Sequence, residues 1–125
     1  MPIRGVRGAA TVEADNPEEI LDVSRQLLQA ILEANPALQP EDLASAFFTL
    51  TDDLHSAYPA QAARELGWDF VPLMCAQEIP VPGSLKRCIR VLLHWNTELP
   101  QRSIKHVYLG AASILRPDLA TVDAK

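Results

Sequence analysis

Between positions 16 and 35, apolar side chains return every three or four residues. Ile20, Leu21, Val23, Leu27, Leu28, Ile31 and Leu32 share one broad face, while Glu18, Asp22, Gln26, Gln29 and Glu33 fall largely on the other. The spacing predicts a long amphipathic helix. Asn16 can cap it, Pro17 suits its first turn, Glu19 sits at the capping-box position, and Pro36 and Pro40 end it. Nowhere else in the chain does a period of 3.6 persist. Residues 86–95 instead alternate, with Ile89, Val91, Leu93 and Trp95 pointing one way and Cys88, Arg90, Leu92 and His94 the other.

The remaining segments are shorter. Residues 3–14 read as a strand of small and β-branched side chains, in which Gly5 and Gly8 suggest a close backbone approach or a bulge. Residues 43–51 read as a strand after a Pro-Glu-Asp turn. Residues 59–66 read as a short helix stopped by Gly67, and residues 69–75 as another strand. Ile79-Pro80-Val81-Pro82-Gly83 is a loop. Residues 105–110 form a last strand and residues 111–115 a short helical turn, and the tail after Pro117 is expected to be loose. This order predicts an α/β (α+β) fold: a mixed sheet of about five strands with one long and one or two short helices on one face. The opposite face is left uncovered. Burying it against copies of the same chain is the economical solution, so an oligomer is expected.

Composition narrows the function. At 125 residues, 48% apolar and 22% charged, the chain fits one globular domain spanning residues 1–125. No run approaches the length of a membrane span, and the N-terminus lacks the pattern of a secretory signal, so a cytoplasmic location is expected, with no membrane partner. The net charge is −5, and no basic stripe extends beyond Lys86-Arg87 and Arg90, which argues against a nucleic-acid partner. Eight of the eleven basic residues are arginine. This bias suits bidentate carboxylate recognition, although genomic composition could also produce it. Cys75 and Cys88 are too few for a disulfide framework and are not spaced as a zinc site. His55, His94 and His106 show no metal spacing. There is no phosphate-binding glycine loop and no nucleophile elbow, so no metal or cofactor is implied.

A few polar residues stand out against their surroundings. Arg90 lies at the centre of an apolar strand, where a guanidinium must find an acceptor. That acceptor could be a structural partner such as Glu78, or a ligand. Arg7 lies between Val6 and Gly8, whose small neighbours leave room for a ligand, or it is an edge-strand arginine in water. Glu78 follows the strand ending near Cys75 and is either a hydroxyl acceptor or an exposed loop residue. Tyr108 offers a donor hydroxyl on an apolar ring, as a half-buried core tyrosine also would.

Several separated motifs occur together: Ile3-Arg4-Gly5-Val6-Arg7-Gly8-Ala9, the stretch from Tyr58-Pro59-Ala60 through Arg64-Glu65-Leu66-Gly67-Trp68, Cys75-Ala76-Gln77-Glu78, Lys86-Arg87-Cys88-Ile89-Arg90-Val91, His106-Val107-Tyr108-Leu109 and Leu115-Arg116-Pro117-Asp118-Leu119. In this order they resemble the trimeric α/β chorismate mutases of the AroH class, over nearly the whole chain. The resemblance implies a homotrimer with a pseudo-barrel core and active sites between subunits. It also implies the rearrangement of chorismate to prephenate in aromatic amino-acid biosynthesis, without a cofactor. It further implies that Arg90 faces the ether oxygen of the breaking bond, that Arg7 and Tyr108 bind the enolpyruvyl carboxylate, and that Glu78, with Cys75 beside it, accepts the ring hydroxyl. Met74, Cys75, Ala76, Gln77 and Glu78 would line the ring. Tyr58 and Arg64 would close the pocket from the rim or a neighbouring subunit, and Leu115 and Arg116 would belong to a mobile segment over the substrate. Two positions depart from the family pattern: Gln61, where a basic residue is common, and Met74, where a smaller polar one is. Two other readings are a trimeric imine/enamine deaminase and a non-enzymatic trimeric metabolite sensor.

Overall fold

The computed structural model describes residues 1–114. Five strands form one mixed sheet: β1 Ile3–Thr11, β2 Leu43–Leu50, β3 Leu73–Gln77, β4 Cys88–Asn96 and β5 Val107–Leu109. Their spatial order is β3-β2-β4-β1-β5. The central strand β4 runs antiparallel to both β1 and β2, while β3 and β5 are parallel to β2 and β1. The helices are α1 Pro17–Ala34 and α2 Ala60–Glu65, with 3-10 turns at Pro40–Asp42, Gln101–Ser103 and Gly110–Ile114.

The start of α1 follows its sequence signals only in part. The Asn16 side chain accepts the Glu19 N–H at 3.1 Å, and Pro17 occupies the first turn. The Glu19 carboxylate does not return to Asn16. It accepts the Glu13 N–H at 2.6 Å and so ties the turn after β1 to the helix. At the other end Asn35, almost fully buried, does more than cap. Its Nδ2 donates to the carbonyls of Ile31 and Lys105, and its Oδ1 accepts the Lys105 N–H, all at 2.9 Å. One amide thereby joins the end of α1 to the approach to β5.

α1 covers one face of the sheet. Leu27, Leu28 and Ile31 pack with Val6, Ala10, Ala46, Phe48, Val91, Leu93, Trp95 and Val107. Gly8 permits this seating: a Cβ there would lie 2.7 Å from Ile31 Cδ1 and 3.1 Å from both Leu27 Cδ1 and Val91 Cγ1. Gly8 therefore marks a close approach, one of the two sequence expectations for that strand. The irregularity in register lies in β2, between Leu43 and Ser45.

Strand ends differ from the expected ones for local reasons. β1 stops at Thr11, and the acidic residues that follow are drawn into turns, with Asp15 accepting the His55 and Ser56 N–H groups. β3 runs over 73–77 rather than 69–75 because Pro72 has no N–H to extend the ladder, and a turn occupies the residues before it. β4 begins after Arg87, which has φ 49°, and β5 ends at Leu109, before Gly110 with φ 61°.

Asn35→Ala removes one buried and two part-buried hydrogen bonds and leaves two Lys105 backbone groups without these partners. It should destabilise the protein by about 1–3 kcal/mol, read as a lower urea midpoint with an unchanged far-UV spectrum.

Candidate active site

The face of the sheet away from α1 carries the charges. The register sets Ala76, Thr49, Arg90, Ala9 and Tyr108 side by side, one from each strand, in a row across this face. The next row holds Met74, Phe47, Leu92 and Arg7. The alternation in residues 86–95 thus sorts β4 correctly, with Ile89, Val91, Leu93 and Trp95 buried and Arg90, Leu92 and His94 on the open side. Cys88 shares the open side's phase but is fully buried with Ala9, Tyr108 and Ala112.

Arg7, Phe47, Thr49, Glu78, Arg90, Val91 and Leu92 line a cavity of about 280 Å³ on this face. Glu78 is the first residue beyond β3. Its N–H donates to the Leu50 carbonyl at 2.8 Å, so the backbone is still held to β2 when the side chain turns across the sheet. Its Oε2 accepts from the Thr49 hydroxyl and lies 3.6 Å from Arg90 Nε. Both side chains of that ion pair are about one-quarter exposed. At 3.6 Å the pair is not a hydrogen bond, and Arg90 Nε is a buried donor without a partner. The Tyr108 hydroxyl, at the other end of the row, is also buried and unpaired. The Arg7 guanidinium sits over the Tyr108 ring, 5.9 Å from its centroid, while the Arg7 N–H donates to His106 Nδ1. Among the described residues no carboxylate pairs with Arg7. Two guanidinium groups, one of them with an unanswered donor, and one carboxylate therefore border one space walled by Phe47, Val91 and Leu92, and a second unanswered donor, Tyr108 OH, is buried beside Arg7. Buried polar groups are rarely left unpaired, and such exceptions collect where a ligand supplies the partner.

The structure divides the other sequence candidates. Tyr58, Cys75, Ala76 and Gln77 line a second cavity of about 630 Å³, together with Leu21, Leu54 and Gln61. Cys75 pairs with the buried Phe48 and packs against the core beneath α1. Its side chain is therefore on the opposite face from Arg90 and not beside the Glu78 carboxylate. Met74 is exposed on the open face, opposite Phe47. Arg64 is exposed in the last turn of α2 and lines neither cavity. Leu115 and Arg116, and the tail after Pro117, lie outside the described residues. The sequence reading did not include Thr49, Phe47 or Leu92 in the site. The alternation in residues 86–95 put Leu92 on the side of Arg90, but the cross-strand register that sets Thr49 against Arg90 and Leu92 against Phe47 and Arg7 was not legible.

Among the described residues no cluster of His, Cys, Asp or Glu could hold a metal ion. The arrangement can bind an anion and fix a hydroxyl. Nearby, burial pushes the Cys88 thiol up despite the opposing charge of Arg90, so this thiol is not activated as a nucleophile.

The chorismate mutase type I family model matches residues 3–119. The chain belongs to this family. It is 56% identical over 117 residues to the AroH chorismate mutase of Thermus thermophilus, covering 94% of this chain and 96% of that one. Against the AroH chorismate mutase of Bacillus subtilis it is 51% identical over 121 residues, covering 96% and 94%. A solved chorismate mutase from Clostridium thermocellum superposes with a TM-score of 0.85 at 46% identity, over 88% of this chain and 97% of that one. Membership makes the chain an isomerase of aromatic amino-acid biosynthesis, and the fold agrees with the expected mixed five-stranded sheet.

The burial of Cys88 gives a direct check. In the native protein a thiol reagent should modify at most Cys75, and Cys88 should react only after denaturation. Rapid native modification of a Cys75→Ser variant would contradict the described packing.

Proposed function

We infer that the cavity holding Arg7, Glu78 and Arg90 is where this chorismate mutase converts chorismate to prephenate. The observation that carries the reading is the buried, unpaired Arg90 Nε in a cavity also lined by Glu78 and by Arg7, which among the described residues meets no carboxylate; the Tyr108 ring, with its own unpaired hydroxyl, lies beneath the Arg7 guanidinium. Chorismate is a dicarboxylate with a ring hydroxyl and an enol ether. Arg7 and Tyr108 suit the enolpyruvyl carboxylate, and Glu78 Oε1, which receives no protein hydrogen bond among the described residues, suits the ring hydroxyl.

The reaction breaks the ether C–O bond as a C–C bond forms, within one molecule. Holding both ends of the substrate selects the folded conformer in which the reacting carbons meet. As the C–O bond lengthens, its oxygen gains negative charge. A guanidinium fixed beforehand by strand β4 stabilises that charge more than it stabilises the substrate, and this difference lowers the barrier. No step calls on a metal, a cofactor or a covalent intermediate.

The same reading makes the protein a homotrimer with shared sites. The open face exposes Ile3, Phe47, Leu92 and Met74, an apolar surface that a second copy can cover. The cavity lined by Tyr58, Cys75 and Gln77 faces the other side of the sheet, so only a neighbouring subunit can bring such groups to Arg90. Arg64 and the 115–116 segment belong at that boundary in this reading. A cytoplasmic location suits a biosynthetic enzyme with a net charge of −5, and among the described residues no helix is long and apolar enough to cross a membrane.

Light scattering at micromolar concentration should give three times the 13.7 kDa chain mass; a monomer mass rules out a shared site. The assay for the site itself is the loss of chorismate absorbance. Arg90→Lys keeps the charge but loses the planar fork. It should reduce turnover by roughly 10²–10³-fold, the scale of one lost transition-state donor, with a smaller effect on substrate binding. Near-normal turnover in folded Arg90→Lys or Arg90→Ala would make Arg90 a structural ion-pair partner only.

A further inference from the structure

We propose that Thr49 is a positioning residue that keeps Glu78 from closing a hydrogen bond onto Arg90, so that the carboxylate is kept for substrate and the guanidinium keeps a free Nε–H donor; this rests on the reading of Glu78 and Arg90 given above. The starting point is a matter of distance. Glu78 continues β3, Arg90 is on β4, and β2 runs between them. Adjacent strands are about 4.8 Å apart, so the two backbones are separated by roughly twice that. The Glu78 side chain must cross β2 to approach Arg90 at all. The residue it crosses is Thr49, which is the direct cross-strand partner of Arg90 and lies on the same face.

A glutamate within reach of a partly buried arginine would ordinarily close into a charge-assisted, bidentate pair, because both ions lose water there. The structure shows something else. Glu78 Oε2 accepts a hydrogen bond from the Thr49 hydroxyl and stays 3.6 Å from Arg90 Nε, which has no hydrogen-bond partner. The carboxylate is anchored through one oxygen, leaving Oε1 for a ligand hydroxyl. Arg90 keeps a donor for a developing oxyanion. Thr49 therefore sets the balance between a closed internal ion pair and an open site. It need not touch the substrate to do so. Valine has nearly the same shape and the same strand preference, so the hydroxyl can be removed with little change in packing.

The test compares Thr49→Val and Thr49→Ser in the full-length protein, each also combined with Glu78→Ala, by steady-state chorismate kinetics alongside subunit mass and thermal midpoint. Thr49→Val should lower kcat about tenfold, the scale of one hydrogen bond to a charged group, with KM changed much less. Thr49→Ser should restore most of that loss. In the Glu78→Ala background Thr49→Val should have no further effect, because the group through which it acts is gone. The proposal is overturned if Thr49→Val keeps full turnover, if it loses the same factor with and without Glu78, or if Thr49→Ser is as impaired as Thr49→Val. Failure of the underlying reading looks different: Glu78→Ala alone would then turn over normally, and the proposal would fall with it.

Discussion

The seating of α1 on one side of the sheet is the constraint from which the rest follows. Leu27 and Ile31 approach the β1 backbone closely at Gly8, where any Cβ would collide with Ile31. This contact buries Val6, Ala10, Val91 and Leu93 and fixes which side of every strand is core. Because side chains alternate along a strand, the same contact decides what lies on the other side. Arg7, Thr49 and Arg90 are on the open face because their neighbours Val6, Gly8, Phe48, Leu50, Ile89 and Val91 are under the helix.

The open face is not the outside of an ordinary two-layer domain. It mixes exposed apolar residues with two arginines, one glutamate and buried donors that have no partner. Unpaired buried donors lower stability, and an arginine placed near a carboxylate yet short of hydrogen-bonding distance sacrifices a strong internal contact. Both make sense for an enzyme whose chemistry consists of binding an anion and answering charge that appears only in the transition state. A site already satisfied by its own residues would have nothing left for the ether oxygen.

Rigidity of this kind needs regular structure. Arg7, Thr49, Arg90 and Tyr108 all project from strands of one sheet, and Glu78 is held by a ladder-like hydrogen bond one residue past β3. Such placement reduces the reorganisation required when the substrate's charge moves. The high identity to the Thermus and Bacillus chorismate mutases, over nearly the full length of each, is consistent with a chain in which fold and site are built from the same strands.

The sequence by itself determined the elements and the family. The 3.6 period and the Asn16-Pro17 start gave α1, the alternation in residues 86–95 gave the two sides of β4, and the ordered motifs around Arg7, Glu78, Arg90 and Tyr108 gave the chemistry. These are local signals: period, capping and spacing depend on neighbours a few residues apart. Only the tertiary structure decided which strands lie together. The contact of Thr49 with Glu78 and its pairing with Arg90 join residues 29 and 41 positions apart, and the amide of Asn35 reaches Lys105 across 70. The family resemblance set Cys75 beside Glu78, whereas within one chain Cys75 pairs with the buried Phe48 on the α1 side of the sheet. Register is fixed by the burial of a whole face at once, so no single segment of the chain carries it.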